Sequence, residues 1–305
     1  MITELQIIGT GSATPARERH PSAQLLKIGS TKILIDCGEG TQMQLLKFGI
    51  KHTGIDFICI SHLHGDHYFG LIGLLSTMSL MGRTQDIHLI GPPELPAIIQ
   101  LMIKAGNMHL NYPVHYIITN GTQPETVLET SDFTITSFPL KHRIHCTGFR
   151  ITEAKKLRHL NPEAAKQYNI PVELYKNIKA GEDFKLPDGS IILNQLLTVA
   201  SEKSRSFAYC SDTIFDPEIV PNIEGADLVY HESTYTRNLI DRANLYFHST
   251  AEQAATIAKL ANASQLIIGH FSSRYDNESL QILLDEAREV FPSTELALEG
   301  RSFIV

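Results

Sequence analysis

The sequence has no apolar run of the length, about 20 residues, that a helix needs to cross a bilayer. Its beginning also lacks the basic, apolar and small-residue regions of a signal peptide, because Thr3, Glu4 and Gln6 surround only a short apolar run. We therefore expect a soluble, cytoplasmic protein without a membrane partner.

Cysteine is scarce and forms no metal-binding or redox pattern. The four cysteines, Cys37, Cys59, Cys146 and Cys210, are widely separated, and no two of them make a C-x-x-C pair. A disulfide framework and a zinc knuckle are alternatives, but we expect buried, reduced thiols in a cytoplasmic chain.

An excess of basic charge is also missing. The 26 Lys and Arg residues are outnumbered by 33 Asp and Glu residues, which gives a formal net charge of −7. This balance argues against a nucleic-acid partner, since such proteins usually carry a basic surface. Between Arg150 and Asp188, however, 8 basic residues accompany 6 acidic ones. Residues 152–189 are therefore either an inserted flexible arm or an ordinary helical surface excursion.

Short runs rich in Ile, Val, Leu and Phe alternate with helical patterns along the 305 residues. Strands are predicted at residues 5–8, 22–27, 33–37, 57–61, 87–90, 133–139, 148–152, 206–210, 227–230 and 265–268. Helices are predicted at residues 41–47, 70–81, 93–105 and 251–260. This mixture indicates a layered α/β or α+β fold, which we expect to form a single domain over residues 1–305.

The segment Ser61–His67 carries three histidines and an aspartate directly after a predicted strand. Imidazole nitrogens and carboxylate oxygens are the ligands that Zn²⁺ and similar ions prefer. Four such groups cannot all reach one ion from so short a segment. The spacing suggests that His62 and His64 bind one metal and that Asp66 and His67 bind another. A polar loop with chance histidines is the alternative.

Three further candidate ligands, His142, Asp212 and His270, each follow a predicted strand. Functional groups of α/β proteins gather at the carboxyl ends of strands. Asp212 is the natural bridging carboxylate, because one of its oxygens can bind each ion. Asp36 either orients a ligand from behind or forms a plain turn before Gly38.

His248 precedes a predicted helix whose start has the capping-box pattern Ser249-x-x-Glu252. A helix amino terminus receives phosphate oxygens well, and a histidine there can donate a proton to a leaving oxygen. Glu232 could hold that imidazole in its protonated form. Equally, His248 could be a residue before the cap and Glu232 a solvated carboxylate.

Arg274 either clamps a phosphate through its planar guanidinium or forms a surface ion pair. The segment Gly9–Ser12 lacks the Lys and the following Ser or Thr of a phosphate-binding P-loop, so we expect no nucleotide there.

Together these residues resemble the short form of ribonuclease Z, the tRNA 3′-processing endonuclease of the metallo-β-lactamase superfamily. H-x-H-x-D-H marks the superfamily, whereas His248-Ser-Thr and His270-Phe-Ser-Ser-Arg are more particular to ribonuclease Z. The resemblance runs through Leu5–Pro15, Leu34–Gln42, Ser61–His67, Pro139–His142, Gly148–Arg150, Ser211–Thr213, His231–Thr234, His248–Thr250 and Gly269–Tyr275.

The resemblance implies an α/β fold, a four-layer αβ/βα sandwich, with two Zn²⁺ per subunit or other divalent metals in their place. It assigns His62, His64 and His142 to one zinc, Asp66, His67 and His270 to the other, and Asp212 to both. It places His248 in leaving-group protonation with Glu232 beside it, and Asp66 as a proton acceptor. Substrate contacts are expected from Arg274, Ser249, Thr250, Lys176 and Lys179.

The resemblance further implies a homodimer in which the protruding arm, residues 152–189, is an exosite that grips precursor tRNA bound at the other subunit. A local basic clamp of this kind can serve an acidic protein. One departure from the family pattern lies in Ile170–Lys179, which has the Leu-Tyr stretch of the arm without the Gly-Pro that often accompanies it.

The predicted function is that of a zinc-dependent endoribonuclease that removes the 3′ trailer from precursor tRNA through metal-activated hydroxide attack. One alternative is a phosphodiesterase or sulfatase of the same fold that acts on small esters. The other is a non-catalytic RNA-binding protein of this fold, which would be expected to have lost metal ligands.

Overall fold

The structure, a computed structural model, describes residues 2–14, 16 and 19–305. Pro15, the last residue of the predicted opening motif, lies outside the described residues. The chain divides into two compact units, which we call the main unit (Met1–Thr152 with Arg205–Val305) and the second unit (Glu153–Ser204).

The secondary structure of the main unit alternates strands and helices. Its strands up to Glu153 are β1 (Ile2–Gly9), β2 (Ala23–Ile28), β3 (Thr31–Ile35), β4 (Phe57–Cys59), β5 (Ile87–Gly91), β6 (Val114–Ile118), β7 (Glu125–Glu129), β8 (Phe133–Pro139) and β9 (Thr147–Glu153). The helices of this part are α1 (Thr41–Lys47), α2 (Gly65–Tyr68), α3 (Leu71–Leu80) and α4 (Leu95–Ala105), with a 3-10 turn at His52–Gly54.

The second unit consists of short elements. They are β10 (His159–Leu160), α5 (Pro162–Gln167), a 3-10 turn (Val172–Leu174), α6 (Tyr175–Ala180), β11 (Phe184–Lys185), β12 (Ile191–Ile192), α7 (Asn194–Leu197) and β13 (Thr198–Val199). Strand β10 pairs with β13 and β11 with β12, both antiparallel. A small core of its own, with Ile178 and Leu197 at its centre, holds these elements together.

After the second unit the chain completes the main unit. The remaining strands are β14 (Ser206–Cys210), β15 (Leu228–Glu232), β16 (Gln265–Gly269), β17 (Thr294–Leu296) and β18 (Ser302–Phe303). The remaining helices are α8 (Val220–Ile223), α9 (Ile240–Tyr246), α10 (Ala251–Leu260) and α11 (Leu280–Val290), with 3-10 turns at Pro217–Ile219 and Arg237–Leu239.

The strands of the main unit form two seven-stranded sheets within the described residues. The first has the order β18-β1-β2-β3-β4-β5-β6, and the second β17-β16-β15-β14-β9-β8-β7. Strands β3 to β6 run parallel, as do β14 to β17. Each sheet therefore directs the carboxyl ends of several strands to one edge.

Alternating side chains build the layers, because successive residues of a strand face opposite sides of the sheet. In β14, Phe207 and Tyr209 pack into a core shared with Leu5 and Ile7 of the first sheet. Ala208 and Cys210 face the other way, into a core built with helices α10 and α11.

The outer face of the first sheet is covered in the same manner. Leu25 and Leu34 pack against Leu45 of α1 and Leu74 of α3. The result is a four-layer αβ/βα sandwich, which confirms the predicted fold class.

Helices α1 and α10 have the predicted bounds, and the four cysteine thiols are buried and free, as expected. The edge strands β17 and β18 were not predicted. Among the described residues, none of the helices combines the length and the apolar content that crossing a bilayer requires.

Gly148 and Gly73 give a matched test of this packing. A Cβ on Gly148 of β9 would overlap the buried ring of Phe138 and lie 2.8 Å from the carbonyl oxygen of Tyr209. A Cβ on Gly73, inside α3, would have its nearest contact at an ordinary 3.6 Å. We expect Gly148→Ala to lower the free energy of unfolding by about 1–3 kcal/mol, as overpacked cores do. Gly73→Ala should raise it by about 0.5–1 kcal/mol. Urea titration of both variants checks this, and equal stabilities would contradict the packing described.

Candidate metal centre

The candidate ligands come together because strand ends of both sheets meet at one edge of the sandwich. His62 lies shortly after β4, Asp212 shortly after β14, and His270 directly after β16. The turn that carries His64 leads into α2, which supplies Asp66 and His67. Side chains that are up to 208 residues apart in the chain (62 to 270) thereby face a common point.

One group of donor atoms consists of His62, His64, His142 and Asp212, whose ligand atoms lie within 4.8 Å of one another. His64 Nδ1 is 3.0 Å from His62 Nε2 and 3.1 Å from His142 Nε2. Asp212 Oδ2 is 3.6 Å from His62 Nε2. We call this group cluster A.

A second group, cluster B, contains Asp66, His67 and His270. Its two Nε2 atoms are 3.3 Å apart, and Asp66 Oδ2 is 3.4 Å from each of them. Asp212 completes this group with its other oxygen, because Oδ1 is 3.2 Å from His270 Nε2 and 3.4 Å from His67 Nε2.

Asp212 thus presents one carboxylate oxygen to each cluster. Its side chain is buried, and Oδ1 has no hydrogen-bond partner among the described residues. Burial opposes ionisation of this carboxyl, but His270 and His67 outweigh it and hold the pKa of Asp212 well below its ordinary value. An ionised, buried and unpartnered oxygen is costly unless a cation or a proton donor meets it.

The partners behind His67 and His142 fix which ring nitrogen carries the proton. Asp36 accepts a hydrogen bond from His67 Nδ1 at 2.7 Å, and the carbonyl oxygen of Phe247 accepts one from His142 Nδ1 at 3.0 Å. Asp36 also accepts hydrogen bonds from three other donor groups and a carbonyl oxygen can only accept, so Nδ1 is the donor in each ring. The lone pair on Nε2 is left for the cluster.

His62 and His270 are arranged in the same way through hydroxyl groups. His62 Nδ1 is 3.0 Å from Ser61 Oγ, which donates its own proton to Asp36. His270 Nδ1 is 2.9 Å from Thr234 Oγ1, whose proton goes to Glu232. Each hydroxyl oxygen therefore accepts from the ring, and Nε2 again keeps its lone pair.

The Nε2 atoms of His67 and His270 are only 3.3 Å apart, so a positive charge is needed between them: either an added proton, which burial opposes but the neighbouring carboxylates favour by raising the pKa of His67, or a metal ion in its place. Imidazole and carboxylate donors in two groups with a shared carboxylate match divalent metal chemistry. The residues present fit a pair of divalent cations.

Asp36 is wholly buried and holds several groups besides His67. Its carboxylate accepts hydrogen bonds from the backbone N–H of Ser61 at 2.8 Å and from the hydroxyl of Tyr209 at 2.7 Å. These contacts support the interpretation that Asp36 orients a ligand, rather than the alternative of a plain turn before Gly38.

His248, which is partly exposed, and the buried Glu232 form a pair beside cluster B. His248 Nδ1 donates to Glu232 Oε1 at 3.0 Å, and the ring of His248 lies 5.4 Å from that of His270. Glu232 also accepts from the backbone N–H groups of Ser249 at 3.0 Å and Thr234 at 3.0 Å. Burial opposes protonation of His248, but Glu232 and then Asp212 prevail and raise its pKa to about 9.

Helix α10 has the predicted bounds, but its N-cap lies one residue later than predicted. Its N-cap is Thr250, which forms a capping box with Gln253, so the predicted Ser249–Glu252 box is wrong. The physical reason is that Ser249 is engaged elsewhere: its hydroxyl donates to the carbonyl of Thr213 at 2.8 Å. Ser249 and Thr250 are both buried, and their hydroxyls have these internal partners.

The remaining predicted substrate contacts belong to neither cluster. Arg274 is exposed, and its guanidinium stacks 5.0 Å above the ring of Tyr235, which in turn lies 6.1 Å from His248. Lys176 and Lys179 belong to α6 of the second unit, where Lys176 is exposed and Lys179 half-buried.

A cleft of about 420 Å³ opens over the clusters. Asp66, Asp212, His248 and His270 line it, together with residues that the sequence analysis did not select, such as Phe69 and Arg143. Arg143 directly follows the candidate ligand His142, and this adjacency is the sequence feature that could have identified it as a cleft residue.

Comparison with known proteins gives consistent relatives. A sequence model for the family described as "Anti-Pycsar protein Apyc1" matches residues 3–281. The chain is 44% identical to the ribonuclease Z of Bacteroides fragilis over 97% of both chains. It is 45% identical to the ribonuclease Z of Cytophaga hutchinsonii over 99% of this chain and 96% of that one. Among solved structures, human tRNase Z, short form, superposes with a TM-score of 0.72 at 27% identity, over 98% of each chain.

The shared position of Asp212 generates a prediction about metal content. Because it contributes one oxygen to each cluster, Asp212→Ala should lose most of the bound metal. His248→Ala, which removes no atom of cluster A or of the Asp66–His67–His270 group, should keep it. Elemental analysis of both variants after zinc loading measures this difference. Full metal content in Asp212→Ala would show that the carboxylate does not bridge.

Proposed function

This chain belongs to the ribonuclease Z family, and from that premise we propose that it removes the 3′ trailer from precursor tRNA as a zinc-dependent endoribonuclease. The observation that carries the proposal is the position of Asp212, with one oxygen in each of two donor clusters, beside the His248–Glu232 pair in one cleft. Two-cation sites of this kind are suited to displacement at phosphorus.

We propose two Zn²⁺ as the resident cofactors, with other divalent metals able to replace them. His62, His64 and His142 would hold one ion, Asp66, His67 and His270 the other, and Asp212 both. Bound there, the ions supply Lewis acidity toward the phosphodiester and lower the pKa of water.

The proposed role of His248 is to protonate the leaving oxygen. Glu232 fixes its Nδ1–H, which leaves Nε2 for the cleft. A pKa raised to about 9 keeps the ring protonated at neutral pH, so Nε2 carries a proton to give.

Asp66 is proposed to accept a proton from the attacking water as well as to bind metal. Burial opposes its ionisation, but His67 and His270 lower its pKa, so the carboxylate is ionised but weakly basic, and the support for the proposed role is that Asp66 lines the cleft beside Asp212.

Arg143 in the cleft and Arg274 beside Tyr235 are the proposed contacts for neighbouring phosphates. Ser249 and Thr250, which the sequence analysis also expected to contact substrate, are buried, so their proposed part is to hold His248 in place.

The test is incubation of the pure, zinc-loaded protein with a precursor tRNA that carries a 3′ trailer. We expect cleavage near the discriminator nucleotide, and a loss of activity of at least about 100-fold in His248→Ala, as removal of a general acid commonly gives. Robust hydrolysis of bis(p-nitrophenyl) phosphate without tRNA cleavage would instead favour an esterase of small phosphodiesters. Wild-type rates from His248→Ala would remove that residue from the mechanism.

We further propose that the arm, residues 152–189, binds the tRNA, and that Lys176 and Lys179 contact its phosphates. The support is the basic composition of this stretch in an acidic chain and the exposure of Lys176 on α6. The proposed homodimer, in the cytoplasm, would let the arm of one subunit serve tRNA bound at the other. A solution mass of a single chain would contradict the dimer.

Charge reversal tests the arm. Lys176→Glu combined with Lys179→Glu should raise KM for precursor tRNA about tenfold and flatten its salt dependence, because phosphate contacts release counterions. Lys104→Glu combined with Lys259→Glu, at exposed lysines of α4 and α10 in the main unit, gives the same change in net charge and should have little effect. Equal effects at the two places would point to net charge rather than to the arm.

A further inference from the structure

Phe247 has a backbone conformation that aromatic residues rarely adopt. It follows α9 directly, with φ at 58° in the left-handed region, where its Cβ is crowded by the following carbonyl oxygen. Helices commonly end in this conformation, but the residue there is normally Gly and sometimes Asn.

This chain itself follows that rule at its other helix ends. Left-handed residues come after α1, α3, α4, α5, α6, α8 and α10, and within the described residues each of them is Gly or Asn: Gly49, Gly82, Asn107, Asn169, Gly181, Gly225 and Asn262. Helix α9 is the exception, since a phenylalanine occupies the equivalent place.

The backbone conformation at Phe247 is needed, but the phenyl ring is not needed for it. The carbonyl oxygen of Phe247 accepts the hydrogen bond from His142 Nδ1 at 3.0 Å, and the next N–H, that of His248, caps the helix on Ala243 at 2.9 Å. Gly or Asn would provide both contacts with less strain.

Packing does not account for the ring either. Phe247 is 38% exposed, and it belongs to none of the hydrophobic clusters formed by the described residues. Tyr246 beside it is also 37% exposed, with Arg242 stacked 5.3 Å over its ring. An aromatic, solvent-facing segment therefore directly precedes His248, which lines the cleft.

The part of the substrate that lies near the Phe247 ring follows from the proposed role of the adjacent residue, His248. In the proposed hydrolysis, water forms a new bond to phosphorus, the bond to the leaving oxygen breaks, and that oxygen takes the proton of His248. The nucleoside that carries the leaving oxygen therefore lies next to His248, within one residue of Phe247. Nucleobases of single-stranded RNA are commonly bound by stacking on aromatic side chains.

We propose that the Phe247 ring is the stacking platform for the base of the nucleoside that carries the leaving oxygen. This inference rests on the proposed function, and it makes Phe247 a substrate-positioning residue whose backbone supports a metal ligand while its side chain holds the base.

Phe247→Asn is the direct test, because Asn keeps the left-handed backbone and removes the ring. We expect kcat/KM for trailer-bearing precursor tRNA to fall about tenfold, the order of one lost stacking contact. Zinc content should be unchanged, and the unfolding midpoint should not fall. Phe247→Tyr should retain nearly full activity. Leu245→Ala, which alters a 68% exposed side chain of the same helix, is the matched control and should have no effect.

Removal of the base from the substrate separates stacking from a structural role. Two precursors are prepared, each with an abasic nucleotide on one side of the scissile bond, and both are incubated with wild type and with Phe247→Asn. The product that bears the new hydroxyl group shows which side of the bond carries the leaving oxygen. With the abasic nucleotide on that side, kcat/KM of wild type should fall about as much as Phe247→Asn lowers it on the normal substrate. Phe247→Asn with the abasic substrate should show no further loss. Additive losses, or an unimpaired Phe247→Asn, would overturn this inference alone. Uncut precursor with wild-type protein would overturn the proposed function and this inference with it.

Discussion

The arrangement of donor atoms around Asp212 is the constraint on which the rest of the site depends. Its buried carboxylate, with Oδ1 unpartnered among the described residues, meets imidazole nitrogens whose lone pairs are directed at one another. Such an assembly is electrostatically unfavourable by itself, and cations between the donors convert each repulsion into an attraction. The hydrogen bonds behind the ligands, from His67 to Asp36 and from His142 to the Phe247 carbonyl, occupy Nδ1 of each ring and leave Nε2 directed at the site, available to a cation.

The sandwich provides the rigidity that this arrangement requires. Both sheets direct parallel strand ends to the same edge, and the core between them, with Phe207 and Ile7 among its members, fixes one sheet against the other. Asp36 and His270 both have φ near 60°, a strained value for residues other than Gly. The well-packed strands β3 and β16 before them hold this conformation, and strain of this kind is commonly found at functional sites.

The acidic composition of the chain is compatible with an RNA substrate because the charges that matter are local. Asp66 and Asp212 are neutralised by metal in the proposed enzyme, and Arg143 lines the same cleft. The stretch 152–189, with 7 basic and 6 acidic residues, is slightly positive in an acidic chain and lies largely in a compact unit of its own. Net charge is thus a weak guide to the partner of a protein whose positive groups are clustered.

The sequence by itself determined the layered α/β class, the bounds of α1 and α10, and the candidate ligands, because strand and helix periodicity and the H-x-H-x-D-H spacing are local properties. It left Asp36 open between a turn and a support, misplaced the cap of α10 by one residue, and missed Arg143 and Phe247. Those assignments depended on contacts between distant segments: Asp36 with Tyr209, Ser249 with Thr213, and Phe247 with His142. Only the tertiary structure decided which nitrogen of each histidine faces the site, because a tautomer is chosen by a hydrogen-bond partner that no local pattern specifies.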